Sequence, residues 1–106
     1  MNSKFKNLFK FISFFLILGS TSCVGPAPVE EYNLARTALQ AARAAESNRY
    51  ASGFLHEAER LYRLAQHQYD NRDYENAESN FIKARSFAEK AENVTRLKKF
   101  KSGDGI

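Results

Sequence analysis

The chain has 106 residues, 26% of them charged, with one cysteine, two prolines, no tryptophan and a formal charge of +4. That length holds one small domain, and a lone cysteine excludes an intramolecular disulfide. The charge falls to +1 if Lys4, Lys6 and Lys10 are removed, and 30–92 has nine Lys/Arg against eleven Asp/Glu, so a nucleic-acid partner is not expected.

The first element is an N-terminal segment of fixed order. Basic residues (Lys4, Lys6, Lys10) precede an apolar run over 11–18, then Gly19, Ser20, Thr21 and Ser22 lead to Cys23. The apolar run falls far short of the roughly 20 residues a membrane-spanning helix needs, yet it fits the 7–15 apolar residues of an export signal. The segment resembles the signal peptide of bacterial lipoproteins. That resemblance implies a signal peptide over 1–22 and Cys23 as a lipidated N-terminus, with acyl chains such as palmitate acting as a stable membrane anchor. In lipoproteins the residue three before the cysteine is usually aliphatic; here it is Ser20. Ser20 and Ser22 also satisfy the small-x-small rule of ordinary signal peptidase, which releases a soluble product, and both routes remain open. Val24 follows the cysteine where an inner-membrane retention signal would have aspartate. By resemblance this favours the outer membrane, facing the periplasm.

Residues 23–29 read as the lipidated cysteine and a Pro-rich tether. Pro26 and Pro28 oppose a helix and favour an extended chain of about 3 Å per residue, holding the domain roughly 20 Å from the lipid.

The domain itself, over 30–101, reads as all-α: a three-helix antiparallel bundle, with 102–106 a flexible tail. The first helix is expected over 30–47, its acidic opening at Glu30 and Glu31 complementing the helix dipole. The second runs from Ser52 or Gly53 to Asp70 with Ser52 as cap, and the third from a capping Asp73 to about Lys99. The connections near 48–51 and 71–72 are short enough to make successive helices antiparallel. Apolar residues recur at helical spacing in all three. The stripes are Ala35, Ala38, Ala42 and Ala45, flanked by Leu34, Leu39 and Ala41; then Leu55, Ala58, Tyr62, Ala65 and Tyr69, flanked by Phe54 and Leu61; then Tyr74, Ala77, Phe81, Ala84, Ala88 and Ala91. Alanines seven apart let helix axes approach to about 8 Å.

Tyr32, Ala35, Leu39, Ala42 and Arg43 are echoed 42 residues later by Tyr74, Ala77, Phe81, Ala84 and Arg85. The second copy, from Asp73 and Tyr74 through Ala77, Phe81 and Ala84, resembles the second helix of a tetratricopeptide repeat. Arg72 stands where that repeat usually has glycine. One and a half repeats cannot make a solenoid. Over about 30–92 the chain also resembles small bacterial lipoproteins carrying the domain of unknown function 4398. This rests on the cysteine and Pro-rich tether, Glu31, Leu34, Ala35, Ala38 and Ala42, then Tyr50 and Ala51, Leu55, Ala58, Leu61 and Ala65, and the Asp73 to Ala91 pattern. Members commonly read Tyr-Ala-Pro at the second helix start; Ser52 replaces that proline. The resemblance implies a helical envelope lipoprotein and supplies no catalytic residue.

No nucleophile motif, phosphate-binding glycine loop or metal-ligand spacing is legible, so neither catalysis, a small-molecule substrate, a metal nor a cofactor is expected. His56 and His67 are eleven residues apart, roughly 16 Å along a helix, too far to share a metal ion. With Arg60 and Arg63 they form a polar stripe, either a candidate partner face or an ordinary solvated one. Arg96, Lys98, Lys99 and Lys101 form a basic cluster with Leu97 and Phe100 between them. It is a candidate for contact with an anionic surface, membrane or cell wall, or a cationic helix end complementing its own dipole. A bundle of three short helices is expected to offer no concave pocket. The functional expectation is a lipid-anchored, non-catalytic interaction or structural module. Its partners would be the membrane through the N-terminal lipid and other envelope proteins or a second copy.

Overall fold

A computed structural model describes residues 2–18 and 25–103. Cys23 and 104–106 lie outside the described residues. Those described form five helices and no strand: α1 (Asn2–Leu18), α2 (Val29–Ala44), α3 (Ser47–Tyr50), α4 (Ser52–Asp70) and α5 (Tyr74–Ser102). Among the described residues α1 packs against none of the others. Among the described residues no helix is long and apolar enough to cross a membrane.

The helix starts differ in detail from the sequence expectations. α2 opens at Val29, because the Pro28 carbonyl already accepts the Tyr32 N–H at 3.1 Å. Pro28, within the expected tether 23–29, is instead buried against the helical body. Ser52 does not cap α4: it is the first helical residue, Ala51 occupies the cap position, and no side chain closes the end. Asp73 does precede α5, but it caps no backbone N–H. Both its carboxylate oxygens instead accept from the Asn76 side-chain amide, at 2.9 and 3.1 Å.

The turns explain where the helices stop. Glu46 adopts a left-handed conformation (φ 70°), which ends α2 and starts the short helix α3 in what reads as a plain loop. After α4, the Asp73 N–H bonds the Gln68 carbonyl and the Arg72 N–H bonds the Tyr69 carbonyl. That pair of bonds is the Schellman closure of a helix end, with Arg72 at φ 60° in the left-handed position. Arg72 therefore occupies a backbone position that favours glycine. Gly103 (φ 81°) closes α5 in the same conformation at low cost.

Two apolar clusters join α2, α4 and α5. Ala38, Leu39 and Ala42 pack with Leu55 and Ala58 and with Ala88 and Ala91. Ala35 packs with Leu61 and Ala65 and with Ala77, Phe81 and Ala84. Numbering therefore rises together along α2 and α5 and falls along α4. The alanine stripes are the seam: Ala35, Ala42, Ala58, Ala65, Ala77, Ala84, Ala88 and Ala91 are all fully buried. Phe81 is fully buried and is the largest such side chain among the described residues. Its ring lies 4.8 Å from Tyr32, 5.7 Å from Tyr62 and 6.4 Å from Tyr69. Ala45 is only half-buried and Leu34 is exposed, both at the shoulder of the stripe. A polar contact that the periodicity did not reveal sits beneath α3. Thr95 and Ser47 are both fully buried, and the Thr95 hydroxyl donates to Ser47 Oγ at 3.0 Å.

Candidate functional site

The helical body has two chemically different ends. At one end the tether meets the α4–α5 turn, and Gly25 and Pro26 line an open hollow of about 410 Å³ with Arg72, Asp73, Tyr74, Glu75 and Glu78. Glu30, Glu31 and Asp70 belong to the same end of the helices, so it is predominantly acidic. At the other end α5 runs on past its last buried residue, Thr95, beside α3. The basic cluster lies there, about 33–41 Å along α5 from Tyr74 at 1.5 Å per residue.

The structure divides that cluster. Arg96 is neutralised within its own helix, both Nε and a terminal nitrogen reaching Glu92 Oε1 at 3.0 and 2.7 Å. Lys98 Nζ donates to the Tyr50 carbonyl at 2.6 Å, closing the C-terminal end of α3. Lys99 approaches Glu46 at 3.7 Å and the Tyr50 ring at 5.7 Å. These two lysines thus hold α3 against α5, a role invisible in the sequence because their partners are some 50 residues away. Lys101 is exposed, and it pairs with no acidic side chain among the described residues. Leu97 and Phe100 are 54% and 74% exposed, the latter the most exposed large apolar side chain of the body.

The expected stripe on α4 is exposed at all four positions, His56, Arg60, Arg63 and His67. Its charge is partly spent locally. Arg60 makes a two-pronged contact with Glu57 at 2.6 and 3.0 Å. That bonding holds the Glu57 carboxyl below the ordinary carboxylate range and raises Arg60. His67 Nε2 lies 3.2 Å from the Asn71 amide. No group of acidic, histidine or cysteine side chains among the described residues could hold a metal ion.

The body is not without concavities, contrary to the expectation for so small a bundle. A second open hollow of about 410 Å³ lies between the start of α4 and the outer half of α5. It is lined by Phe54, Phe87, Val94, Lys98 and Glu57, with Tyr50 to Gly53 at one edge. The Phe54 and Phe87 rings stack at 6.5 Å, and Lys90 Nζ sits 4.6 Å over Phe54.

No family model matches the chain, and neither the curated proteins nor the solved structures include a significant match to it.

Proposed function

We propose that this chain is a cell-envelope lipoprotein, processed before Cys23, that holds a non-catalytic interaction module at the periplasmic face of the outer membrane. In this reading 30–101 form a three-helix antiparallel, tetratricopeptide-like body, and the likeness to the domain of unknown function 4398 reflects common descent. The observation that carries it is the spacing between Cys23 and the first residue fixed to the body. Pro28 is buried, and five residues of extended chain reach at most about 18 Å. A lipid on Cys23 would keep the body within that distance of the bilayer, with the acidic end nearest the anchor. With so small a core and solvent-facing residues such as Leu34, Leu64 and Ile82, docking on an envelope protein or a second copy is the use such a body supports. Cross-linking in native membranes followed by affinity capture of the lipidated chain tests this. The expected result is a defined cross-linked partner or dimer; a free monomer with nothing bound refutes the interaction role.

A further inference from the structure

We infer that the outer end of α5 is a second membrane contact, docking on an anionic phospholipid surface through Leu97, Phe100, Lys90 and Lys101. The inference rests on the anchored reading above and adds to it which face of the body meets the lipid. Helical spacing decides the face. The buried line of α5 runs through Ala84, Ala88, Ala91 and Thr95. At 100° per residue, Leu97 and Phe100 project from the opposite side, with Lys90 and Lys101 along one border of that strip. The opposite border is electrically quiet, because Arg85 is paired with Glu89 and Arg96 with Glu92. An exposed aliphatic–aromatic pair edged by lysines is the arrangement of an interfacial helix.

Three further features favour lipid as the occupant. The open hollow floored by Phe54 and Phe87 lies on the lysine side of the strip, with Lys98 at its wall, so apolar surface continues past Leu97. Lys90 already sits over the Phe54 ring, marking the border between this surface and solvent. The body is also charged oppositely at its two ends, and the short link to Cys23 holds the acidic one. An anionic surface attracts the basic end and repels the acidic one, which tips the body from upright to lying along the bilayer. The acyl chains on Cys23 supply the attachment, and the basic patch sets which face of the body meets the bilayer.

The chain has no tryptophan, so Phe100→Trp supplies a single reporter at an exposed position. The processed, acylated chain carrying this substitution is placed in vesicles of phosphatidylglycerol or phosphatidylcholine containing brominated acyl chains. The expected result is blue-shifted, quenched emission in phosphatidylglycerol and water-like emission in phosphatidylcholine. Adding Lys90→Gln or Lys101→Gln should lower the docked-to-undocked ratio about fivefold each, and raising the salt concentration should lower it further. Flotation with unquenched emission in phosphatidylglycerol overturns the inference and leaves the anchor standing. Quenching equal in both lipids and indifferent to the lysines overturns it as well. Failure to float refutes the anchor instead, and the quenching of the same sample still decides whether this face meets lipid. Retention on insoluble peptidoglycan without quenching assigns the face to the cell wall and likewise refutes the lipid contact.

Discussion

Phe81→Ala probes the body where its stability is most concentrated. Phe81 is the only fully buried aromatic among the described residues and sits among Tyr32, Tyr62 and Tyr69, with ring separations of 4.8, 5.7 and 6.4 Å. Truncating a buried phenylalanine costs about 3–5 kcal/mol through lost transfer energy and the cavity left behind. Here three aromatic pairs vanish together, which places the loss in the upper part of that range. A body of this size has a total stability of about 4–11 kcal/mol, so the substitution removes a large fraction of it. Urea denaturation of the detergent-solubilised chain, followed by far-ultraviolet circular dichroism, measures the loss. In thermal melts each kcal/mol corresponds to about 4–8 °C for a domain this small. The companion Ile82→Ala, at a position 53% exposed, should change stability by less than about 0.5 kcal/mol. A loss below about 1 kcal/mol for Phe81→Ala would mean the four rings rest on a surface, and the packing argument would fail.

Other substitutions test the turns, the buried polar pair and the aromatic cluster. Arg72→Gly should stabilise the body by about 1 kcal/mol, because the left-handed backbone at that position favours glycine; a destabilisation in the same melts contradicts the assigned turn. Thr95→Val leaves the buried Ser47 hydroxyl without its donor and should cost about 1–3 kcal/mol. Combined with Ser47→Ala it should cost less than the sum of the single changes, and strict additivity would show that the pair does not interact. Burial first, then the neighbouring Tyr32 hydroxyl, holds the Tyr62 phenol above its ordinary value. The neutral phenol is the form the fold favours. Its contribution is therefore complete below the unfolded tyrosine pKa of about 10 and lost as pH rises through the higher folded value. Absorbance titration should show a phenol ionising above the ordinary tyrosine value, a component that Tyr62→Phe removes.

What was legible in the sequence was whatever repeats at helical spacing. Ala35, Ala38, Ala42, Ala58, Ala65 and Ala77 to Ala91 stand at intervals of three, four and seven, and they are the buried seam. Small side chains at those intervals have little use except close approach of helices. Contacts between residues remote in sequence leave no such mark. Ser47 and Thr95 each look like ordinary surface polar residues until their pairing across 48 positions is seen. The same holds for Lys98, whose charge was legible but whose bond to the Tyr50 carbonyl was not. α3 was hidden because one left-handed residue, Glu46, restarts a helix inside a polar stretch. The basic cluster was thus legible as composition, while its division into internal clamps and an exposed tip required the fold.

The most direct test of the central claim is the intact mass of the mature protein isolated from its native membranes, compared with a Cys23→Ala version. The account predicts a chain beginning at Cys23 and carrying a thioether-linked diacylglyceryl group and an amide-linked acyl group, with Cys23→Ala left unprocessed or unanchored. A parent chain lacking fatty acid, cleaved elsewhere and recovered in the same fraction as Cys23→Ala, would contradict it.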